Sequence, residues 1–407
     1  MFKTKKKSDD LLEIALGLYD ASRFAETSKN LSESEKKTVK KEIKDIADKR
    51  NKTLIKLTKF LKPLILPTAK RIVLESHLDF ETINNKKNIV VYMPNHKSHL
   101  DEFVIGYTLL AESLPVPITA AGENLFKSKI SNYMLRSYGA FKLRRDKYSD
   151  DVHYTRLLSS YLAASIMTGN HIMTFQEGTR PRDGKIGLFR KGMIATIEKS
   201  FREMKSNAEI DIEDITFVPI AVNWSENPDE KKMTADMNTK AEETDLFKRF
   251  LNLKKTHSSK DIRGVYLGFG EPVSYNQFAA ANAPDDGDSY AIGICNEVRS
   301  RVVNMMPVFK EHLLYSAIQY LCKYQHKVDI EEVKKLMEVT QKSISSGDVK
   351  INVIETDTYS VEDQLALMEK RDIIEFNEDR KVFKVLKHNV IDYYANHVAP
   401  LIEERRG

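Results

Sequence analysis

The sequence predicts an α/β fold: a mixed sheet covered by helices, with an N-terminal helical extension and a helical C-terminal region that carries a small hairpin. From residue 89 to about 269, short apolar runs alternate with helix-like segments, as in a sheet covered on both faces. Before about residue 75, and again from about 288 to 345, apolar residues recur with helical spacing. We therefore expect three parts: a helical, basic region over 1–80, an α/β domain over 81–310 with an excursion at 225–262, and a mostly helical region over 311–407.

The individual elements follow from the same patterns. In the N-terminal part, an apolar face within 11–18 and the helix-start sequence Ser32-Glu33-Ser34-Glu35 predict helices. Near the end, 371–386 predicts the hairpin, because two apolar runs flank a polar connection, and a last helix follows through Tyr393 and Tyr394. In the middle part, strands are predicted at 89–93, 116–120, 139–143, 171–176, 215–223 and 263–269, and helices at 101–112, 124–137, 151–168 and 189–204.

The composition excludes several classes of protein. Hydrophobic residues make up 41% of the chain, which is enough for a substantial core. Two cysteines, Cys295 and Cys322, are too few for a disulfide framework and fit a reducing compartment. The first residues lack the apolar stretch of a secretory signal, and no apolar run reaches the roughly 20 residues that cross a bilayer. We expect a cytoplasmic protein that is peripheral on the inner face of a membrane.

Positive charge is concentrated in residues 49–71, which contain eight basic residues and no acidic one. Leucine, isoleucine and phenylalanine alternate with these cations, so the segment has the composition of one that binds an anionic membrane surface. The alternative is a helix packed on the next domain with solvated lysines, and Pro63 and Pro67 favour it by interrupting a continuous apolar face. We expect no nucleic-acid binding, because no recognised binding motif accompanies the charge.

The most informative stretch is Asn95-His96-Lys97-Ser98-His99-Leu100-Asp101, directly after the apolar run 89–93. A histidine at a strand end, with a carboxylate one helical turn on, can be held in one tautomer and act as a general base. No serine or threonine lies in a nucleophile-elbow pattern, so the hydroxyl to be deprotonated would belong to a substrate. The alternative is a capped helix start with a surface histidine.

A second group of polar residues, Phe175 to Lys185, follows the predicted strand at 171–176. Gly178 would let the backbone approach a ligand closely. Arg180 and Arg182 are two residues apart, so in an extended loop they would point the same way and could grip one phosphate. The alternative is a solvated polar turn, since Arg-Pro-Arg-Asp-Gly is good turn chemistry.

Two further strand ends complete the set. Residues 139–146 predict a short strand that ends in the cations Lys142, Arg144 and Arg145, unless it is an edge strand that finishes in solvent. Residues 217–222 predict a buried strand in which Pro219 would be awkward at a central position, and plain core is the alternative interpretation there.

Together, in this order, these blocks resemble the signature of the glycerolipid acyltransferase family. The His-x4-Asp block corresponds to His96 and Asp101, and the later blocks to 139–145, 175–180 and Val218-Pro219. The resemblance covers about 85–275. Residues 95–101, 180–184 and 264–272 are similar to the glycerol-3-phosphate acyltransferase branch, whereas Thr179 is closer to lysophosphatidate acyltransferases.

This resemblance implies transfer of a fatty acyl group from a thioester, acyl-CoA or acyl carrier protein, to the sn-1 hydroxyl of glycerol 3-phosphate. His96 would be the base and Asp101 would hold its imidazole. Glu177 would accept a bond from a glycerol hydroxyl or orient an arginine, and the phosphate would be held by Arg144, Arg145, Arg180, Arg182 and, more weakly, Lys142. The resemblance implies no cofactor beyond the thioester. We expect no metal either, since no further ligand follows His99 at suitable spacing.

Several alternatives stay open. Lysophosphatidate and dihydroxyacetone phosphate are the alternative acceptors. A protein that binds phospholipid without turnover, and a nucleic-acid-binding protein, are the alternatives from other classes.

Overall fold

The computed structural model describes residues 7–58, 71–76, 83, 87–144, 151–205, 212–235, 264–285, 289–346, 350–355 and 360–406. The strands are β1 Arg71–Ser76, β2 Asn88–Pro94, β3 Ile118–Gly122, β4 Ala140–Leu143, β5 Ile172–Met173, β6 Asp214–Trp224, β7 Gly264–Phe269, β8 Val273–Ser274, β9 Val308–Phe309, β10 Val328–Asp329, β11 Val353–Ile354, β12 Ile374–Phe376 and β13 Val382–Val385. The α-helices are α1 Lys7–Thr27, α2 Glu33–Ile46, α3 Lys52–Thr58, α4 Asp101–Ala111, α5 Lys129–Ser137, α6 Val152–Met167, α7 Gly192–Lys205, α8 Glu230–Met233, α9 Tyr275–Ala281, α10 Ala291–Met305, α11 Lys310–Cys322, α12 Ile330–Ser346, α13 Val361–Lys370, α14 His388–Ala395 and α15 Ala399–Arg406.

An eight-stranded sheet forms the centre, in the order β1-β7-β6-β2-β5-β3-β4, with β8 also paired to β6. Strands β6, β2, β5, β3 and β4 are parallel to their neighbours, whereas β7 and β8 run antiparallel to β6. The predicted α/β class with a mixed sheet is therefore confirmed. Because the parallel strands end at one edge of the sheet, the polar residues that follow β2, β5 and β6 are brought together there.

The expectation of helix up to about residue 75 is wrong at its end. Residues 71–76 form strand β1, which pairs in parallel with β7 at the edge of the sheet. The basic and apolar residues of this stretch suit an exposed edge as well as a helix, so periodicity alone did not distinguish the two. The predicted domain boundaries near 80 and 310 stay predictions.

The continuous apolar run of β2 is explained by burial on both faces. Ile89, Val91 and Met93 belong to one core cluster, which also includes side chains of α6 and α7. Val90 and Tyr92 point to the opposite face and pack with residues of α4. This double burial fixes the end of β2, and therefore the residues that follow it, within the sheet.

Pro219 lies in the central strand β6, a position where proline is unfavourable. The pairing of β6 shows why it is tolerated there. On one side β6 pairs with β8 at Thr216 and Phe217, and with β7 from Ile220 onward. Pro219 falls in the gap between these two ladders, where its missing N–H removes no bond to either strand. Its carbonyl still accepts a bond from the N–H of Gly270 at 3.0 Å.

The N-terminal helices α1 and α2 pack against α6, and α2 also contacts the edge strand β4. Tyr161 donates a hydrogen bond to Asp48 at 2.9 Å, and Arg50 donates one to Asn170 at 2.7 Å. Of the basic segment 49–71, residues 59–70 lie outside the described residues. Among the helices that the structure describes, none combines the length and the apolar character needed to cross a bilayer.

The C-terminal part is mostly helical and carries the predicted hairpin. Strands β12 and β13 pair antiparallel, and β10 joins them as a third strand. Cys295 and Cys322 are free thiols. Of the excursion predicted at 225–262, the structure describes 225–235, which return towards the end of β2.

Candidate active site

A histidine–aspartate pair lies at the carboxyl end of β2. The Nδ1 atom of His96 is 3.0 Å from Oδ2 of Asp101, the first residue of α4. The same oxygen accepts the backbone N–H groups of Lys97 and Ser98, at 2.6 and 2.8 Å. Since an ionised carboxylate only accepts hydrogen bonds, the imidazole proton belongs on Nδ1. The other nitrogen, Nε2, is left as a base, and 16% of the His96 side chain is exposed while Asp101 is fully buried.

Two neighbours hold the turn that carries His96. The Asn95 amide bonds to the backbone of Val222 in both directions, accepting at 2.7 Å and donating at 3.0 Å. The ring of Phe175 lies against the imidazole, with ring centroids 4.2 Å apart. The imidazole is therefore fixed by a carboxylate on its Nδ1 edge and by an aromatic ring on one face.

Glu177 anchors the backbone rather than an arginine. One carboxylate oxygen accepts the N–H of His96 at 2.7 Å, and the other accepts the N–H of Gly187 at 2.8 Å. A Cβ at position 187 would be 2.7 Å from that second oxygen, so only glycine allows this approach. Burial raises the pKa of Glu177 to about 7, against the opposing charge of Lys97. The expectation that Glu177 orients an arginine is corrected: it ties the loop after β5 to the His96 turn.

Gly178, the glycine predicted to give a ligand close access, lies in a turn. Its φ of +74° is in the left-handed region, and a Cβ there would make only ordinary contact with Arg190. The turn conformation favours glycine, and the close approach to a ligand stays a prediction. The close approach occurs at Gly184, where a Cβ would be 2.1 Å from the carbonyl oxygen of Tyr393 in α14.

Arg180 lies beside the His96 turn, joined to it by Asp229. Its Nη1 atom is 2.5 Å from the Asp229 carboxylate. The same carboxylate oxygen accepts the Ser98 hydroxyl at 3.1 Å and the His99 N–H at 2.8 Å. Burial opposes ionisation of Asp229, but the charges of His99 and Arg180 outweigh it and lower its pKa. A cation and the proposed base therefore share one end of the sheet.

Arg182 does not converge with Arg180 on one point. Its guanidinium donates to the carbonyl oxygens of Lys232 and Met233, both at 3.4 Å, and to that of Ala235. These carbonyls lie at the C-terminal end of the short helix α8, and Asp229 is the N-cap residue at its other end. Cations suit the C-terminal carbonyls of a helix. The expected two-arginine clamp is not formed, because the two side chains bind opposite ends of α8.

The cations after β4 are also committed to protein groups. Lys142 donates to Asp45 at 2.8 Å, and Arg144 bonds Asp45 at 3.3 Å and Glu123 at 3.1 Å. Strand β4 is three strands from β2 in the sheet order, or about 14 Å at the usual strand spacing. Arg145 lies outside the described residues. The structure thus brings His96, Asp101, Glu177 and Arg180 together, but not Lys142, Arg144 or Arg182.

Several buried polar residues of the site were not predicted. The Lys97 ammonium donates to the carbonyls of Gly184 and Lys185, at 2.5 and 3.2 Å, and burial lowers its pKa. Asn227 donates to the Lys97 carbonyl at 2.8 Å and to the Tyr393 hydroxyl at 2.6 Å. The sequence could have identified Asn227 and Asp229 as site residues, since both follow a predicted buried strand that ends at the same edge of the sheet as β2.

The other carboxylate oxygen of Asp101 also has a buried partner. Oδ1 accepts the indole N–H of Trp224, the last residue of β6, at 2.8 Å. The Asp101 carboxylate is therefore bonded through both oxygens. The sequence offered no signal for this contact, because Trp224 follows an apolar strand and is equally well explained as core.

Comparison with known proteins agrees with this geometry. Residues 77–223 match the protein family described as Acyltransferase. Glycerol-3-phosphate acyltransferases from Pseudomonas paraeruginosa (strain DSM 24068 / PA7) and Pseudomonas putida (strain GB-1) are 32% and 30% identical to this chain, over 49% and 52% of its length. The matched part spans only 23% and 25% of those two proteins.

A solved structure, the 1-acyl-sn-glycerophosphate acyltransferase from Thermotoga maritima, aligns with 73% of this chain and 92% of its own. The two chains are 16% identical, and the TM-score is 0.34. Residues 77–223 therefore match an acyltransferase domain, and over about half of its length this chain is similar to proteins named glycerol-3-phosphate acyltransferase.

Proposed function

We propose that this protein transfers a fatty acyl group from a thioester donor to the sn-1 hydroxyl of glycerol 3-phosphate. Its relatives are named glycerol-3-phosphate acyltransferases, which supports the choice of acceptor. The observation that carries the proposal is the His96–Asp101 pair, buried on its carboxylate side and open at the imidazole, with Arg180 at the same strand ends. The donor is already activated, so direct attack by the acceptor hydroxyl suffices and no acyl-enzyme is required.

In the proposed step, Nε2 of His96 takes the proton of the acceptor hydroxyl while its oxygen attacks the thioester carbonyl. Asp101, bonded to Nδ1, stabilises the imidazolium that forms. Collapse of the tetrahedral intermediate breaks the carbon–sulfur bond, and the imidazolium returns the proton to the departing thiolate. The products are the acyl ester and the free thiol, and His96 is regenerated.

Arg180 is the cation that we assign to the acceptor's phosphate. One of its N–H donors binds Asp229, and a guanidinium has five such donors, so a phosphate can use others. Lys142 and Arg144 remain weaker candidates, because each would first have to leave Asp45. This assignment replaces the ring of cations that the sequence suggested with one arginine beside the base.

The test is an acceptor screen with the purified full chain. Labelled acyl-CoA and acyl–acyl carrier protein would each be offered glycerol 3-phosphate, lysophosphatidate or dihydroxyacetone phosphate. We expect turnover with glycerol 3-phosphate. Turnover only with lysophosphatidate would move the protein to that branch, and phospholipid binding without turnover of any acceptor would favour the non-catalytic alternative.

We also propose that the protein docks peripherally on an anionic membrane, at the cytoplasmic face. Ile130, Tyr133 and Met134 are exposed at helical spacing on α5 and form an apolar stripe. The start of the basic segment lies against the end of this helix, through bonds from the N–H of Lys49 and Asn51 to its last carbonyls, both at 2.9 Å. Apolar side chains beside lysines suit an anionic lipid surface.

Sedimentation with phosphatidylcholine vesicles, with and without phosphatidylglycerol, tests this docking. We expect binding that requires the anionic lipid and is weakened by Ile130→Glu. Val339→Glu is the matched control, since Val339 is equally exposed on a helix in the C-terminal part. Equal binding by both variants would exclude α5 as the docking surface.

A further inference from the structure

The tryptophan that bonds Asp101 is the only one in the chain. Trp224 is 1% exposed, and its indole N–H points at the carboxylate oxygen that His96 does not use. The matched family region ends at residue 223, so Trp224 is not among the residues by which the family is recognised. The proposed acyl-transfer step uses no indole, so the bond from Trp224 to Asp101 has to serve another purpose.

The second carboxylate oxygen matters because Asp101 is fully buried. Oδ2 alone accepts His96 and two backbone N–H groups, whereas Oδ1 is bonded by the indole. A buried carboxylate oxygen without a donor is costly, and a donor on each side also stops rotation of the group. The indole therefore both stabilises the negative charge and fixes the plane in which the carboxylate meets the imidazole.

The backbone of Trp224 is itself held by the C-terminal part. Its carbonyl accepts the Nε2–H of His312 in α11 at 3.0 Å. Burial lowers the pKa of His312 to about 3, so this ring is neutral. The preceding residue, Asn223, donates to the Pro307 carbonyl at 2.9 Å and accepts from His397 at 3.0 Å. Contacts from two segments, residues 307–312 and the region of His397, thus set the position of the strand end that carries the indole.

We propose that Trp224 is a positioning residue for the proposed reaction, which holds the Asp101 carboxylate through its indole N–H and connects it to the C-terminal part of the chain. The proposal rests on the acyltransferase function for its kinetic consequence, but not for the bond. A charge-stabilising hydrogen bond of this kind predicts a drop in kcat of about ten- to a hundredfold when the N–H is removed.

The first experiment does not depend on activity. A chain with one tryptophan gives one indole N–H signal in a proton–nitrogen NMR spectrum. We expect this signal to move upfield in Asp101→Asn, because a bond to a neutral amide is weaker than one to a carboxylate. His153→Ala, far from the indole, should leave it in place. An unchanged signal in Asp101→Asn would overturn the proposal, whatever the acceptor screen finds.

The second experiment separates positioning from packing. Trp224→Phe keeps an aromatic ring but removes the donor, so the His96–Asp101 pair should bind its proton more tightly. The acidic limb of the kcat/KM profile should then move to higher pH. Phe269→Leu is the control, because Phe269 lies in the same core cluster and is equally buried. A loss of rate in Trp224→Phe without a shift of the limb would show a structural role only.

Replacement of Trp224 by benzothienylalanine extends this test, since that analogue has the shape of tryptophan without the N–H. We expect the variant with this analogue to show the same shift of the acidic limb of kcat/KM as Trp224→Phe. Its thermal stability should equal that of the wild type. Wild-type kinetics with this analogue would overturn the proposal. If the acceptor screen finds no turnover at all, the transferase proposal fails alone, and the NMR result still decides the bond.

Discussion

Two strand ends of this sheet both carry cations, but their surroundings differ. After β5, Arg180 reaches Asp229 and through it the His96 turn. After β4, Lys142 and Arg144 reach Asp45, a residue of the N-terminal helix α2. Both ends are cationic and both lie at the same edge of the sheet. The difference is that Arg180 lies beside the turn of the histidine–aspartate pair, whereas the cations after β4 attach the N-terminal helices to the domain.

The comparison teaches that a cationic strand end does not by itself identify a phosphate site. What decides its use is the residue that lies opposite, which in both cases comes from a distant part of the sequence. Asp229 lies within the excursion, directly before α8, and Asp45 precedes the sheet altogether. We assign substrate binding to the residues after β5 and attachment of the N-terminal helices to those after β4. Four substitutions test the site and this assignment.

The largest effect is expected from His96→Ala. Loss of the general base should lower kcat by about a thousandfold, because the acceptor hydroxyl then has to attack without transferring its proton to His96. The measurement is initial rate with saturating glycerol 3-phosphate and acyl thioester. His153→Ala is the matched control: that histidine bonds Glu42 and Tyr19, near the β4 end, and should leave the rate unchanged. Comparable losses in both variants would contradict the assignment.

The second change tests how the loop after β5 is held. Gly184→Ala would place a Cβ on the Tyr393 carbonyl, at a position whose φ is +79°. We expect the free energy of unfolding to fall by about 3 kcal/mol, from overpacking and backbone strain together. Gly178→Ala has nearly the same φ but an open site, so it should cost about 1 kcal/mol. Urea unfolding measures both, and equal costs would show that α14 does not constrain the loop.

The third change compares the two arginines directly. Arg180→Lys keeps a positive charge beside Asp229 but loses the planar fork, so the KM for glycerol 3-phosphate should rise about tenfold. Arg144→Lys should change this KM by less than about twofold, because Asp45 and Glu123 occupy that side chain. Steady-state kinetics over a range of acceptor concentrations gives both values. A larger KM change in Arg144→Lys would reverse the assignment of the two strand ends.

The fourth change concerns Glu177, whose pKa burial raises to about 7 from an ordinary value of 4.5. Between these values the folded protein keeps a proton that the unfolded chain releases, so the free energy of unfolding should decrease as pH rises through this window. The slope contributed by one group is at most about 1.4 kcal/mol per pH unit. Urea unfolding of wild type and Glu177→Gln across the window should show this slope in wild type alone. Parallel curves would contradict the raised pKa.

Much of the fold was predictable because it depends on local patterns. The apolar runs of β2, β6 and β7 are long and buried on both faces, so their positions followed from the sequence. Strand β1 was missed, since its short continuous apolar run, residues 72–74, fits a helix segment as well as a strand. The short strands β8 to β11 have two residues each and exist only through their partners.

The site was predictable where one segment contains the whole arrangement and not where distant segments meet. His96 and Asp101 are one helical turn apart, so their pairing follows from spacing. The bonds from Asp229 to Arg180 and from Trp224 to Asp101 join residues that only the tertiary fold brings together. Likewise, nothing local indicates that Arg182 would bind helix-end carbonyls or that Lys142 would bind Asp45.

The position of β1 has a consequence for how the chain reaches its native state. Strand β1 is made before the rest of the sheet, but β7, its partner, is made after the other long strands and lies between β1 and β6. During synthesis on the ribosome, the backbone N–H and C=O groups of β1 that bond β7 therefore stay unpaired until β7 has been made. Such an edge invites pairing with other nascent chains. Release of truncated products that end before residue 264 should thus yield aggregation-prone fragments, whereas chains that extend past β8 can complete the sheet.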